Sequence, residues 1–309
     1  MIEAQAVRDA AAALRGVAVR TPLLWVDALG AYLKLEILQP MGAFKIRGAY
    51  NAVRRVANAA RERGVITFSS GNHGQAVAYA ARFLGLRAVI VMPESAPAIK
   101  VAGVRRWGGE VVLAGRTSED RQRHAEMLAA RDGFVIVPPF DHPDIIAGQA
   151  TVGLEIAEDL PDVATVLVPV GGGGLIAGVI AGLEAAGSAA RVWGVEPSGA
   201  PKLTRALAAG RPERLDQTAS IADGLITLSV GQLTFAELTA RRDRLAGAAL
   251  VEDDSLREAV HFLWRECRLA VEPSGAATVA AVRSGAVRPA PPAVLVVSGG
   301  NVDPSLLQD

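Results

Sequence analysis

The sequence predicts an α/β protein with two open, twisted parallel-sheet domains, each with helices on both faces. Short β-branched segments alternate with longer helical segments along most of its 309 residues, which is the rhythm of parallel α/β layers. Glycine-rich turns follow several strands, as they do at ligand-binding sheet edges. The length suffices for two domains. We expect a small domain at residues 55–141, inserted in a large domain formed by residues 1–54 and 142–309.

The elements of the N-terminal half follow from hydrophobic spacing. Residues 2–14 predict a short amphipathic helix, and residues 31–36 predict a strand. From Lys45, apolar residues recur at helical spacing to Ala60, and Gly64 is a suitable stop. The next segments predict strands at 65–68, 87–92, 110–113 and 134–137, with helices at 75–84, after Pro97 and at 118–131.

The C-terminal half continues the alternation after the prolines at 138, 139 and 143, which indicate a crossing between domains. Ser255 and Glu258 have capping-box spacing, which predicts that a helix begins there. Residues 198–245 are less regular. The other segments predict helices at 144–159, after residue 174 and after the stretch 272–277, and strands at 165–170, 191–195 and 293–298.

Composition narrows the function classes. Lys plus Arg and Asp plus Glu both number 32, so the net charge is zero and no basic excess indicates nucleic acid or a membrane surface. No apolar run has transmembrane length, and no secretory leader pattern is visible. The single cysteine, Cys267, cannot form an internal disulfide and fits a reducing, cytoplasmic location. The histidines lack metal-ligand spacing, so we expect no zinc.

Lys45 follows a predicted strand and turn, at the start of a predicted helix. The helix dipole there favours the neutral amine, and a neutral amine can attack an aldehyde to form a Schiff base. A solvated surface lysine is the commoner case for this stretch taken alone.

Residues 171–174 are four consecutive glycines between a strand and a helix. Such a loop lets backbone N–H groups converge on a phosphate. The alternative without function is a tight turn that binds no ligand. The serious alternative is a nicotinamide-dependent dehydrogenase, because Gly172, Gly174 and Ala177 loosely fit a dinucleotide fingerprint and Glu196 ends the next strand.

Two further loops lie at predicted strand ends. Ser69-Ser-Gly-Asn-His-Gly74 offers N–H groups and hydroxyls that suit a carboxylate, and Ser298 ends the last strand. Together with Lys45 and the glycine loop, these stretches supply an amine, a phosphate cup, a carboxylate site and a hydroxyl. Those are the parts needed to hold pyridoxal phosphate and an amino acid. The dehydrogenase alternative explains only one of the four.

The ordered motifs resemble the serine/threonine dehydratases and serine racemase, within the fold-type-II, tryptophan-synthase-β-like group of pyridoxal-phosphate enzymes. The resemblance covers nearly the whole chain. It rests on Lys34-Leu-Glu36, Gly42-Ala-Phe-Lys-Ile-Arg-Gly48, Ser69-Ser-Gly-Asn-His-Gly-Gln75, Ala147-Gly-Gln149, Gly171-Gly-Gly-Gly-Leu175, Gly194-Val-Glu-Pro197, Ile221-Ala-Asp-Gly224, Glu272-Pro-Ser-Gly-Ala276 and Ser298-Gly-Gly-Asn-Val-Asp303.

The resemblance implies a role for each site residue. Lys45 would form the Schiff base and take the α-proton, with Phe44 packed beside the cofactor ring. The remaining implied contacts are Asn72 with the 3′-oxygen, Gly171, Gly172, Gly173, Gly174 and the N–H of Leu175 with the phosphate, Ser298 with the pyridine nitrogen, and Ser69, Ser70, Gly71, Asn72 and His73 with the substrate carboxylate.

The implied reaction is β-elimination of water from L-threonine or L-serine, which gives a 2-oxo acid and ammonia. Serine racemase or a lyase for 3-hydroxyaspartate are alternatives within the group, and a non-catalytic binding protein of this fold is a further one. The resemblance also implies that the protein is a homodimer and that it binds a small amino acid as its substrate. We expect no regulatory domain, because the chain ends soon after Ser298.

Two positions set this chain apart from some relatives. Ser70 matches the second acid/base of the racemase, so it either supports racemisation or only helps to bind carboxylate. Metal-binding relatives use a glutamate, a carbonyl and an acid at the positions of Glu196, Ala200 and Lys202. A lysine cannot replace an oxygen ligand, so we expect no divalent metal here and an ammonium in its place.

Overall fold

The computed structural model describes residues 1–69, 71–96, 98–115 and 117–307. It confirms the α/β class, with two separate sheets flanked by helices. The helices and strands in chain order are α1 (Ala4–Ala13), β1 (Leu23–Val26), β2 (Ala31–Leu35), α2 (Lys45–Val56), β3 (Val65–Phe68), α3 (Asn72–Phe83), β4 (Ala88–Met92), α4 (Ala98–Arg106), β5 (Glu110–Leu113), α5 (Ser118–Asp132), β6 (Val135–Ile136), α6 (Pro143–Asp159), β7 (Thr165–Pro169), α7 (Gly174–Ala185), β8 (Arg191–Pro197), α8 (Lys202–Ala209), α9 (Gln232–Ala240), β9 (Leu245–Val251), α10 (Asp253–Arg265), α11 (Pro273–Arg283) and β10 (Ala293–Val297).

The larger sheet has the strand order β1-β2-β10-β7-β8-β9. Its strands run parallel except β1, which pairs antiparallel with β2 at the edge. Strand β10 lies between β2 and β7, with Val294 opposite Tyr32 and Ala293 opposite Thr165. Strands from both chain ends are therefore neighbours in one sheet. The domain boundaries at residues 54/55 and 141/142 stay a prediction.

The smaller sheet has the order β5-β4-β3-β6 and is parallel throughout. Val65 of β3 lies opposite Ala88 of β4 and Val135 of β6. Its four strands are the four predicted between residues 64 and 140. No helix among the described residues has both the length and the apolar composition needed to cross a bilayer.

Both sheets are covered on both faces. On β10, Val294 and Val296 pack into the core formed with α6 and α7, whereas Leu295 and Val297 pack into the core formed with α10 and α11. A strand with two buried faces reads as a continuous apolar run rather than as an alternation, and this explains the sequence of residues 293–297.

Helix α2 packs against α3 beside the smaller sheet and against α6 beside the larger one. Helices α2 and α6 cross closely at two glycines: a Cβ atom on Gly148 would lie 2.4 Å from the Arg47 carbonyl oxygen, and one on Gly48 would lie 2.8 Å from the Ile145 carbonyl oxygen. A side chain at either position would push the helices apart. Close packing therefore holds the helix that begins at Lys45 between the two sheets.

Arg47 on α2 is the centre of a buried ionic network. Its guanidinium donates to both Glu36 carboxylate oxygens at 2.8 Å and to Glu155 at 2.6 and 2.8 Å. Lys34 donates to Glu155 at 2.7 Å and to the Thr21 carbonyl at 2.6 Å. Arg47 is 1% exposed and Glu36 0% exposed. Two cations and two carboxylates thus balance each other inside the protein.

Several predicted boundaries and elements are wrong. Helix α2 ends at Val56 rather than Ala60, because the polar residues after it form exposed turns. Helix α10 begins at Asp253, so Ser255 is not its cap. Asp253 and Asp254 in its first turn complement the helix dipole instead. The prediction missed β1, α8, α9 and β9. Strand β1 is a short edge strand with two exposed residues, so its burial pattern gives little signal.

We predict that Arg47→Ala lowers the free energy of unfolding by about 3–5 kcal/mol, because it leaves two carboxylates buried without their main partner. Urea unfolding of the purified protein measures this loss. The matched control on the same helix is Arg55→Ala, since Arg55 is 43% exposed and pairs with Asp144 at the surface; its loss should stay below about 1 kcal/mol. Equal losses for both variants would contradict the assignment.

Candidate active site

A cavity of about 620 Å³ lies where loops from the two sheets meet. It is wide enough for a cofactor together with a small substrate. Ser70 lies outside the described residues. All the other site residues predicted from the sequence line the cavity, namely Phe44, Lys45, Ser69, Gly71, Asn72, His73, Gly171, Gly172, Gly173, Gly174, Leu175 and Ser298.

Sheet topology explains this convergence. Strands β2, β10 and β7 are consecutive neighbours in the larger sheet, and they lead into the Lys45 turn, Ser298 and the glycine loop respectively. Because parallel strands end at the same edge, these three stretches are brought together. Strand β3 of the smaller sheet ends just before Ser69 and supplies the opposite wall.

Lys45 is the first residue of α2 and lies half-buried in the cavity wall. Its Nζ donates to the Pro139 carbonyl at 2.8 Å and lies 5.3 Å from the centre of the Phe44 ring. Burial lowers the pKa of Lys45 to about 8, whereas the sequence pointed to the helix dipole as the cause. Relative to an ordinary lysine, the neutral fraction at pH 7 rises roughly 300-fold. The amine is therefore prepared for nucleophilic attack.

His73 is the second residue of α3 and is buried. Burial, together with the charge of Lys45, lowers the pKa of His73 to about 3. The ring is therefore neutral near pH 7. Nε2 lies 3.2 Å from the Val137 carbonyl; since a carbonyl can only accept, the ring proton sits on Nε2. The imidazole then has no second N–H for a carboxylate, and only the backbone N–H of His73 can serve.

The loop before α3 is arranged for an anion. Ser69 Oγ accepts from the Gly71 backbone N–H at 3.1 Å, and α3 begins at Asn72. The first N–H groups of a helix have no partner within the helix and carry the positive end of its dipole. A carboxylate that enters the cavity can bind at this helix start.

The glycine loop leads directly into α7, whose N-terminal residues line the cavity. A Cβ atom on Gly172 would lie 2.4 Å from the Phe140 ring, and one on Gly173, where φ is +93°, would lie 2.9 Å from Thr234 Oγ1. Side chains at these two positions would block the close approach of Phe140 and Thr234. The loop thus presents backbone N–H groups to the cavity at a helix start, which suits a phosphate.

Glu196 does not have the role that the dinucleotide alternative requires. It is 0% exposed and accepts from the backbone N–H groups of Leu203 and Thr204 at 2.9 Å, at the start of α8. Lys202 Nζ lies 3.4 Å from Glu196 and donates to the Ala200 carbonyl at 3.0 Å. A buried carboxylate engaged in this way cannot reach a ribose.

Sequence reasoning gave no role to Glu272 or Lys100, which also line the cavity. Glu272 precedes α11 and accepts from Asn72 Nδ2 at 2.5 Å. Burial raises the pKa of the Glu272 carboxyl, although Lys100 and Asn72 oppose this. Glu272 stands in the motif Glu272-Pro-Ser-Gly-Ala276, and this motif was the only sequence signal that could have identified it as a site residue. Lys100 on α4 pairs with Asp223 and belongs to no motif.

A second ion pair also crosses the cavity wall. Arg214, which follows α8, donates to Glu119 of α5 at 2.9 Å. Both this pair and the Lys100–Asp223 pair join a helix beside the smaller sheet to a loop of the larger-sheet region. The four side chains line the cavity, so the two pairs connect its opposite walls.

Comparison with known proteins places this geometry in context. Residues 14–299 match the family described as pyridoxal-phosphate dependent enzyme. The chain is 38% identical to the L-threonine ammonia-lyase of Thermotoga maritima, with 99% of this chain and 77% of that protein covered. It is 38% identical to the L-threo-3-hydroxyaspartate ammonia-lyase of Saccharomyces cerevisiae, with 96% and 92% covered. The structure of maize serine racemase superposes with a TM-score of 0.91 at 35% identity, with 99% and 95% covered.

We predict that Lys45 in cofactor-free protein reacts with formaldehyde in reductive methylation with a midpoint near its pKa of about 8. Below that pH the ammonium has no lone pair, so labelling should fall as the pH is lowered. Mass spectrometry can follow each of the chain's four lysines separately. Lys34 and Lys202, both 0% exposed, are internal controls that should remain unlabelled. A Lys45 profile with an ordinary lysine midpoint, near 10.5, would contradict the assignment.

Proposed function

We propose that this chain, which belongs to the family of pyridoxal-phosphate dependent enzymes, is an ammonia-lyase for L-threonine or L-serine. L-threonine would give 2-oxobutanoate and ammonia, and L-serine would give pyruvate and ammonia. The water lost in the elimination is regained on hydrolysis, so the 2-oxo acid and ammonia form with no net loss or gain of water. The observation that carries the proposal is the convergence of Lys45 and the starts of α3 and α7 on one cavity.

The residues of the cavity fit the cofactor. The start of α7 offers N–H groups to a phosphate, and Lys45 offers an amine whose pKa burial lowers to about 8. Asn72 and Ser298, which both line the cavity, offer an amide and a hydroxyl. We propose that residues 171–175 hold the phosphate, Asn72 the phenolic oxygen and Ser298 the ring nitrogen, with Phe44 beside the ring.

When bound, pyridoxal phosphate supplies an aldehyde that links to amines and a ring that acidifies the α-proton of an attached amino acid. Lys45 Nζ would hold the aldehyde of the cofactor, and the same amine would accept the α-proton of the substrate. The Pro139 carbonyl, 2.8 Å from Nζ, accepts a hydrogen bond from the amine and orients it.

The substrate carboxylate is assigned to the start of α3 and the preceding loop, with Ser69, Gly71 and Asn72 as the nearby groups; Ser70 keeps the role that its sequence position predicts. His73 contributes through its backbone N–H, because its neutral ring donates to Val137 instead. Ser298 presents a hydroxyl where an aspartate would hold a proton on the ring nitrogen. The weaker polarisation favours elimination over transamination.

We predict that the purified, cofactor-loaded protein converts L-threonine to 2-oxobutanoate and ammonia, and that Lys45→Ala lowers turnover by at least about 1,000-fold. The loss is expected because no other group takes over both the amine and the base. Release of 2-oxo acid, measured with a coupled dehydrogenase, checks both statements. The control is Arg55→Ala on the same helix, whose exposed side chain pairs with Asp144 and should leave turnover unchanged.

The same assay separates the alternatives within the family. D-serine from L-serine, without 2-oxo acid, would identify a racemase, and Ser70→Ala would then remove that activity. Release of ammonia from L-threo-3-hydroxyaspartate, but not from threonine or serine, would mean that the proposed substrate is wrong and the proposed type of reaction is right. A loaded Lys45→Ala protein with full turnover would overturn the proposed mechanism.

We further propose that Lys202 makes a divalent cation unnecessary near Glu196. The Lys202 ammonium contacts two of the groups that would surround such a cation, the Glu196 carboxylate and the Ala200 carbonyl. Among the described residues, no cluster of three or more His, Cys, Asp or Glu side chains is placed to hold a metal ion.

The prediction for this region is that chelator-treated protein keeps its activity and gains none when magnesium is added. Lys202→Ala should lower the free energy of unfolding by about 3–5 kcal/mol, because it leaves Glu196 buried without its cation. Activity assays with and without magnesium, together with urea unfolding, measure both effects. Growth of wild-type activity with magnesium would contradict the role given to Lys202.

The assembly and location are proposed on narrower grounds. A homodimer is proposed from the family, and a reducing, cytoplasmic location from the single cysteine, which is half-buried and free. Sedimentation equilibrium tests the first proposal, and fractionation of the source cells tests the second. A monomer at assay concentrations would exclude any contribution of a partner subunit to the site.

A further inference from the structure

The loop after β10 is joined to the turn that carries Lys45. The Gly300 backbone N–H donates to the Gly42 carbonyl at 2.8 Å, and the Phe44 N–H donates to the Ser298 carbonyl at 3.0 Å. These bonds connect the C-terminal end of the larger sheet to the start of α2. The first residue of this loop with a long polar side chain is Asn301.

The orientation of the Asn301 amide is determined by its partners. Its Nδ2 donates to the Met41 carbonyl at 3.0 Å and to Asn72 Oδ1 at 2.8 Å. A carbonyl can only accept a hydrogen bond. If the amide were turned over, its oxygen would face the Met41 oxygen and both bonds would be lost. Asn301 thus uses both hydrogens of one NH₂ group on two different parts of the site.

The Asn72 amide is oriented in turn. Its oxygen accepts from Asn301, so its NH₂ group points the other way and donates to Glu272 at 2.5 Å. Asn72 and Glu272 line the cavity, whereas Asn301 lies outside the lining. The second hydrogen of Asn72 Nδ2 is then available to a ligand in the cavity. Without Asn301, only the hydrogen bond to Glu272 would fix which side of the Asn72 amide carries the oxygen and which carries the NH₂ group.

We propose that Asn301 is a positioning residue that acts through Asn72. It keeps the Asn72 NH₂ group turned toward the cavity and ties that group to the turn before Lys45. The inference rests on the proposed function, in which Asn72 donates to the phenolic oxygen of the cofactor. Loss of Asn301 lets the Asn72 amide rotate, and the cofactor then meets an acceptor where it needs a donor.

The first test is cofactor affinity in Asn301→Ala. Cofactor-free protein is titrated with pyridoxal 5′-phosphate and followed by absorbance. We expect the dissociation constant to rise roughly tenfold and the absorption band of the bound cofactor to shift, since the band reports the hydrogen bond at the phenolic oxygen. The matched control is Asn58→Ala, because Asn58 is exposed just beyond α2; its affinity and band should equal those of wild type.

A double-mutant cycle tests the route through Asn72. If Asn301 acts only by orienting Asn72, then Asn301→Ala added to Asn72→Ala causes no further loss of affinity. If the losses of cofactor affinity in the two single variants multiply in the double variant, the proposal is overturned, because Asn301 would then act independently of Asn72. Wild-type affinity and an unshifted band in Asn301→Ala would overturn it as well.

Folding and function are controlled separately. If Asn301→Ala does not fold, Asn301→Ser carries the test, since serine keeps a single donor and should give a smaller loss; wild-type affinity in that variant would again overturn the proposal. Wild-type protein that binds the cofactor but releases no 2-oxo acid from threonine or serine would defeat the proposed function alone. The affinity comparison does not depend on that activity.

Discussion

The buried charge balance around Arg47 is the constraint on which the placement of helix α2 depends. Lys34 comes from β2, Glu36 directly follows that strand, Arg47 comes from α2 and Glu155 from α6. A charge removed from water needs a partner and filled hydrogen-bonding positions. The network satisfies this demand only when α2, α6 and the larger sheet take one mutual arrangement. Lys45 lies two residues before Arg47, so the same arrangement places the reactive amine at the sheet edge.

Removal of water is the second effect that organises the site. Burial lowers the pKa of Lys45 and, with the charge of Lys45, that of His73. It therefore makes the lysine a better nucleophile and makes the histidine a neutral donor to a backbone carbonyl. Two side chains on the neighbouring helices α2 and α3 thus change their protonation equilibria for the same physical reason. In a solvated cleft the same lysine would keep an ordinary pKa and a much smaller neutral fraction at pH 7.

Some residues that line the cavity stand in recognisable sequence motifs, and others do not. Lys45, the glycine loop, Asn72 and Ser298 stand in compact motifs at strand ends. The rest of the cavity wall includes Arg121 and residues 214 and 216–218, which belong to no motif. Proteins with about the same similarity to this chain are named for threonine, serine and 3-hydroxyaspartate chemistry. The motif residues thus correspond to what these proteins share, and residues 121, 214 and 216–218 add to the cavity wall outside the motifs.

Sequence patterns alone predicted the fold class and the stretches that line the cavity, because both depend on local signals; the role of each residue toward the cofactor rests on the family resemblance. Strand and helix periodicity identified the four strands of the smaller sheet, and glycines and polar residues at strand ends identified the cavity lining. The same local signals failed for β1, an exposed edge strand, and for α8 and α9, which lie in the less regular segment 198–245. Boundaries such as the end of α2 failed where solvent exposure, rather than spacing, decides.

Only the tertiary structure decided how the site residues act on one another. It assigned the low pKa of Lys45 to burial rather than to the helix dipole, because burial depends on residues from both sheets. It joined Asn301, Asn72 and Glu272 across more than 200 residues of chain and placed Lys202 against Glu196. Such contacts leave no periodic trace in a sequence, since each depends on where distant segments meet in the fold.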